Sequence, residues 1–218
     1  MRNLIFPEII QDVSEYLASA RNFRISSSTH DGRINSALNE DEILTFLELE
    51  FRNISTRYKF VRPNAREWYD FAIENNNEFY PVNIKVTNCA TADNLNSKLG
   101  IYYAMTGLIP SFNNSIGWES FLRKLKQSFG RHKDKDYYFL IINKKDLSDV
   151  FCCSLKTLTS LVPNGNNLPF QSRWTENRDP VGRSFYEAAE FIMATFATSF
   201  RQRAAAYEEF ERCFPEYV

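Results

Sequence analysis

Histidine is nearly missing. His30 and His132 are the only two in 218 residues, far apart and without metal-ligand spacing, which leaves little room for a histidine-based nuclease or a zinc enzyme. Glycine is scarce as well, at seven, and no Walker, G-x-S-x-G or dinucleotide-binding pattern occurs, so a phosphate-cradling loop is excluded. The four cysteines, Cys89, Cys152, Cys153 and Cys213, have no C-x-x-C spacing. Neither a zinc site nor a disulfide scaffold is expected, and they read as buried thiols in a reducing cytoplasm. There is no excess of either charge: the formal net charge is -1 and the pI about 6.2. Any nucleic-acid partner must therefore be met by a local basic cleft rather than by overall charge. No run reaches transmembrane length, and MRNLIFPEIIQDVSEYL lacks the apolar stretch and cleavage site of a signal peptide. The expectation is a soluble cytoplasmic protein with no membrane partner.

What is present is ordinary for a folded chain. Hydrophobic residues make up 44% and charged residues 24%, and the length fits one domain over 1–218. Pro7 starts a helix with Ile9, Ile10, Val13 and Leu17 at helical spacing. A polar loop follows from Phe23, and Asn39 is placed to cap a second helix carrying Ile43, Leu44, Leu47 and Phe51. Three runs rich in β-branched and aromatic residues, Tyr58 to Arg62, Trp68 to Ile73 and Phe79 to Thr87, read as an antiparallel meander. Asp93 or Asn94 is expected to cap a helix ended by Gly107, and Trp118 to Phe129 gives another. Tyr137 to Ile142 is a buried strand, and Val150 to Ser154 a further one. Val162 to Asp179 reads as a long loop, and Pro180 opens the last helix. The order predicts a mixed α/β architecture.

Chemistry concentrates where the second and third runs of the meander meet. In a strand of period two, Asn83 and Lys85 share one face while Val82, Ile84 and Val86 take the other. If the runs pair as a hairpin, Asp70 lies beside Asn83. A carboxylate, an amide oxygen and an ammonium at one point suit metal-assisted phosphodiester hydrolysis: Mg²⁺ takes oxygen ligands, and a lysine steadies the attacking water and the charge growing on phosphorus. Glu40, Asp41 and Glu42 open the preceding helix, where acidic residues also serve the helix dipole. Any half-exposed strand can read V-N-I-K-V, so the pairing with Asp70 is what gives the pattern weight.

Asp70, Asn83 and Lys85 resemble the D…(D/E)-x-K signature of the PD-(D/E)-x-K nucleases, and the run Thr91-Ala92-Asp93-Asn94-Leu95-Asn96-Ser97-Lys98 continuing to Gly107 resembles their type II restriction endonucleases. The likeness covers roughly 39–107. It implies a restriction-endonuclease-like core, αβββαβ, with a central mixed sheet flanked by helices over about 39–142, and a C-terminal recognition region over about 150–218. It implies a type II site-specific deoxyribonuclease cutting double-stranded DNA with Mg²⁺, acting as a homodimer beside a cognate DNA methyltransferase. The site it implies has Asp70, Asn83, Lys85 and Glu40 as catalytic residues, with metal at Asp70, Asn83 and Ile84. The sequence departs from the pattern twice: Tyr69 stands for proline, and Asn83 for the acidic residue. Either Glu40 or Glu67 supplies the missing charge, or Asn83 replaces an aspartate and inactivates the site.

Gln171, Arg173, Asn177 and Arg178, on the expected long loop, are the side-chain types that reach base edges in a major groove, and Lys98 is counted with them as a DNA contact. Arg123, Lys124, Lys126, Arg131, Lys133 and Lys135 suit phosphate contacts, although a solvated face explains the same run. The alternatives are another nuclease of this superfamily, a junction resolvase or nickase, or a non-catalytic DNA-binding protein.

Overall fold

The computed structural model describes residues 6–26, 32–64, 67–95 and 97–218, with 32–37 described by backbone alone. The meander is present: β1 (Lys59–Val61), β2 (Phe71–Glu74) and β3 (Phe79–Thr87) pair antiparallel, with Phe71 opposite Val82 and Glu74 opposite Phe79. β5 (Tyr138–Asn143) lies parallel to β3, and β6 (Val150–Ser154) returns antiparallel to it, giving the order β1-β2-β3-β5-β6. A parallel neighbour needs a long crossover. Here it is made by a short strand, β4 (Ala92–Asn94), and two helices, α3 (Lys98–Thr106) and α4 (Trp118–Ser128).

Both faces of this sheet are covered. On one side α1 (Glu8–Ser19) and α2 (Gly32–Ile54) bring Ile10, Leu17, Ile43 and Leu47 against Phe71, Val82, Ile84 and Leu140. On the other, α3, α4 and α5 (Phe185–Cys213) bring Tyr103, Phe121, Ile192 and Phe196 into one cluster with Tyr137, Phe139 and Ile141. Burial on both faces explains why β5 is an unbroken apolar run rather than an alternating one. Each such side chain contributes roughly 1.5–3 kcal/mol by leaving water.

Several boundaries differ from those expected. α2 begins at Gly32, so Asn39 is interior to the helix and caps nothing; its Oδ1 is buried with no hydrogen-bond partner among the described residues. Asp93 and Asn94 belong to β4, and the cap of α3 is Ser97, whose hydroxyl accepts the Gly100 N–H at 3.0 Å. Gly107 ends α3 at φ 69°, the left-handed conformation that closes helices without a Cβ penalty. α5 starts five residues after Pro180, where Ser184 and Glu187 form a reciprocal capping box. The expected loop over 162–179 contains structure: β7 (Val162–Pro163) and β8 (Phe170–Arg173) join β4 in a second sheet, ordered β4-β8-β7. No helix among the described residues is long and apolar enough to cross a membrane.

A buried carboxyl and a buried amine, each hydrogen-bonded to backbone, fix the entry to β5. Lys156 is 0% exposed, and its ammonium donates to the carbonyl oxygens of Lys133, at 2.9 Å, and Lys135. Asp136 accepts from the backbone N–H of Tyr137 at 2.8 Å and of Lys156 at 3.3 Å. Burial pushes the Asp136 carboxyl up and the Lys156 amine down, while each charge pulls the other back.

Candidate functional site

Asp70 stands one residue before β2, but its backbone already belongs to the ladder: its N–H donates to the Val82 carbonyl at 2.9 Å. That register sets Asp70 across from Asn83. Asp70 Oδ2 accepts from Asn83 Nδ2 at 2.7 Å and from the Ile84 N–H at 2.6 Å. In a strand the N–H and C=O of one residue point the same way, so the Ile84 carbonyl faces this same edge. Asn83 and Lys85 share the face opposite Val82 and Ile84, as period two requires. That face is not open to solvent as a sheet surface; it forms a recess. Asn83 and Lys85 are half-buried and line a small cavity of about 60 Å³ with Asn94, Ser97, Tyr137 and Phe139.

Among the described residues Lys85 is the one charged side chain that lines the recess, and the carboxyls of Asp70 and Glu40 feel its charge. Loss of water is the main cause that raises the Asp70 carboxyl, to about 7, and the negative charge of Glu40 adds to it; the Ile84 N–H and the Lys85 charge act against the rise. Burial likewise raises Glu40, with Lys85 opposing. Glu40 on α2 is therefore close enough for its charge to be felt by both Asp70 and Lys85. Lys85 itself makes no hydrogen bond or ion pair with any described residue. Asp70 Oδ1 likewise accepts nothing from them.

The fit to a divalent cation can be judged from these donors. Among the described residues no trio of His, Cys, Asp or Glu stands close enough to hold a metal alone. Mg²⁺ does not need one, since it binds through one or two carboxylates and keeps several waters. Asp70 Oδ1, the Ile84 carbonyl and the Asn83 amide oxygen are all of the right chemistry. The amide as placed turns its nitrogen toward Asp70, and a half-turn of the carboxamide presents oxygen instead. Glu67, the other carboxylate considered for the missing charge, is exposed on the segment before β2.

Tyr137, Asn94 and Ser97 escaped sequence reasoning. The Tyr137 hydroxyl donates to the Trp68 carbonyl at 2.7 Å, tying down the chain two residues before Asp70. Gly100 lets it sit there: a Cβ on Gly100 would lie 2.5 Å from the Tyr137 ring. No local periodicity marks these contacts, because they join β5 and the β4–α3 turn to the meander.

The residues expected to read DNA are differently placed. Asn177 is 1% exposed and spends its amide inside the chain, donating to Ser172 Oγ at 2.8 Å, Arg173 O at 2.8 Å and Ser160 O at 3.1 Å and accepting from Ser160 N at 2.9 Å. It holds the 160–177 segment together and cannot reach a base as placed. Arg178 makes a two-pronged pair with Asp149 at 2.7 Å, and Lys98 donates to the Asn114 and Ile116 carbonyls at 3.2 and 2.5 Å while lying over Trp118. Gln171 bonds Asn94 at 2.9 Å across the second sheet. Arg173 is exposed, with Glu176 at 3.4 Å, and Arg178 is exposed beside its Asp149 partner. Comparison of the chain with protein-family models and with curated proteins gives no match.

Proposed function

We propose that this protein is a Mg²⁺-dependent deoxyribonuclease of the PD-(D/E)-x-K kind, cutting double-stranded DNA as a type II restriction endonuclease does. One observation carries the reading: Asp70 binds Asn83 and the Ile84 N–H from the adjacent segment of one sheet, while Lys85, two residues beyond Asn83 on the same face, lines the recess with no hydrogen bond or ion pair to any described residue. The element order α2, β1, β2, β3, β4, α3, α4, β5 contains the expected αβββαβ succession with β4 and α4 added to it, which supports the reading.

Asp70 would hold the cation through Oδ1, with the Ile84 carbonyl and the Asn83 amide oxygen beside it. Bound Mg²⁺ supplies Lewis acidity, lowering the pKa of a coordinated water and polarising a phosphoryl oxygen. Lys85 donates to the attacking water and to the oxygen on which charge develops. Because its ammonium is not neutralised by a neighbour, it acts at full strength in a site partly shielded from water. Glu40 supplies the second negative charge that Asn83 lacks. Cutting both strands calls for two such sites, and a partner methyltransferase would protect the same sequence.

Incubation of a mapped linear duplex with the protein should yield discrete fragments with Mg²⁺ and none with chelator. Lys85→Ala should reduce the rate by about 10²–10³-fold with folding intact. Fragments that persist undiminished in Lys85→Ala exclude the assignment of Lys85. Fragments from branched but never from linear DNA would instead indicate a junction resolvase.

A second reading has its own observation. Asn83 directs an amide donor at Asp70 where the resemblance has a carboxylate, which suits a duplex binder that does not cut. Gain of Mg²⁺-dependent cutting in Asn83→Asp, starting from an inactive parent, identifies an inactivated nuclease; tight duplex binding without cutting in both forms identifies a binder.

A further inference from the structure

Another cavity, of about 670 Å³, opens where β3 and β5 begin, between the start of α1 and the turn from α2 into β1. It shares no lining residue with the recess of Asn83 and Lys85, and its volume is in the range that holds a small molecule. Four rings run along it, each packed on the next: Phe6 on Tyr138 at 5.7 Å, Tyr138 on Tyr80 at 5.7 Å and Tyr80 on Tyr58 at 6.1 Å between centroids. Beside the rings the cavity is lined by Glu8, Asp12, Glu78, Asp134 and Asp136, against Arg57 and Lys135.

At the Tyr58 end of the row the chain supplies its own cation. The Arg57 guanidinium lies 5.3 Å from the centre of the Tyr58 ring and 3.6 Å from Glu78, which also accepts from the hydroxyls of Tyr58 at 2.8 Å and Tyr80 at 2.6 Å. At the Phe6 end no described residue does the same. Glu8 and Asp12 stand one turn apart on α1 and form no ion pair with any described residue, an arrangement in which like charges repel. Burial raises the Asp12 carboxyl, and the charges of Glu8 and Glu15 add to the rise. Lys135 answers Asp134, at 3.3 Å. Tyr138 lines the cavity and is only 4% exposed, yet its hydroxyl has no hydrogen-bond partner among the described residues, where a buried hydroxyl ordinarily has one.

These features select the chemistry of a ligand. Unpaired carboxylates beside aromatic rings call for a positive charge, and a tyrosine hydroxyl without a partner can accept from an ammonium N–H. A lone metal ion does not fit, because among the described residues no trio of His, Cys, Asp or Glu stands close enough to hold one. The carboxylates are instead spread along a row of rings, which suits separated ammonium groups on a hydrocarbon chain.

We infer that this cavity binds an alkyl polyamine, with one ammonium held by Glu8, Asp12 and the Tyr138 hydroxyl and its chain lying along the rings. The site rests on no part of the nuclease reading, so either can fail without the other.

Calorimetric titration of the whole protein with spermidine should show saturable binding, and an uncharged octanediol should show none. Glu8→Gln with Asp12→Asn should weaken spermidine binding by about tenfold or more, and Tyr138→Phe by about tenfold, the worth of one charge-assisted hydrogen bond, with circular dichroism unchanged in both. Glu15→Gln, which removes an exposed charge from the same helix outside the cavity, should bind as the parent does, and equimolar Mg²⁺ should displace no spermidine. Absence of saturable binding overturns the inference, as does unchanged affinity in the cavity variants. So does an equal loss in Glu15→Gln or displacement by Mg²⁺, either of which would show diffuse negative charge in place of a site.

Discussion

Asp136 with Lys156, at the ends of β5 and β6, and Asp70 with Lys85, at β2 and β3, are each a carboxylate and an ammonium beside the same sheet, and they are finished differently. The Lys156 ammonium is spent on two backbone carbonyls, and Asp136 accepts two backbone N–H groups. Every charge in that couple is answered, and it holds the 133–136 segment to the turn after β6. Asp70 receives two hydrogen bonds on one oxygen and none on the other, and Lys85 has no protein partner among the described residues. The open capacity at the second couple is what supports the metal and phosphate reading proposed above. The teaching is that burial of a charge is no sign of function; the unfilled hydrogen-bonding capacity beside it is.

Breaking the closed couple should cost most. Lys156→Met leaves the Lys133 and Lys135 carbonyls without their donor and removes the positive charge that favours the ionised, buried Asp136, and urea unfolding should show a loss of about 3–5 kcal/mol. Lys85→Met, which removes an ammonium with no direct partner among the described residues, should change stability by less than about 1 kcal/mol. Equal losses in the two variants would erase the distinction. Asn177→Ala tests a closed polar cluster without charge: with three acceptors and one donor abandoned, roughly 2–4 kcal/mol should be lost, with no preferential effect on DNA affinity.

The open couple should instead be visible in pH. The Asp70 carboxyl is raised from 3.8 to about 7, first by desolvation and then by Glu40. The folded protein thus holds a proton that the unfolded chain has released. Stability from this group is whole below about pH 4 and is lost as pH rises through about 7, so metal-free protein should weaken across that window. Asp70→Asn should flatten this slope and gain about 2 kcal/mol at pH 8, less than the full shift implies because Asp70 keeps contact with solvent. Thermal melts from pH 5 to 8 check both; a parallel slope in the variant would mean that the carboxyl is not the group responsible.

Much of the meander and crossover was legible because each strand announces itself locally. Tyr58 to Arg62 and Phe79 to Thr87 are β-rich runs between turn residues, and the alternation in Val82-Asn83-Ile84-Lys85-Val86 gave the two faces correctly. The reach of the site was harder. That both faces of β3 are covered follows from α5 and the second sheet, whose strands have only two to four residues; β7 and β8 were read as loop and β4 as the cap of a helix. Their β-structure depends on β4 finding β8 almost eighty positions away, with Asp93 opposite Ser172, and no window of sequence carries that. The same holds for Asn177 and Arg178: residue type suggested base contacts, while tertiary contacts with Ser160 and Asp149 decide what they do. The start of α2 was misplaced because Gly32 and the polar residues after it have no apolar period.

The most direct test of the open couple is metal binding itself, read by the loss of free Mn²⁺ signal in electron paramagnetic resonance at pH 8. One Mn²⁺ per chain should bind to the parent, more tightly to Asn83→Asp, and at least about tenfold more weakly to Asp70→Asn, in keeping with a site built on one carboxylate. Identical binding in the parent and in Asp70→Asn would contradict the account.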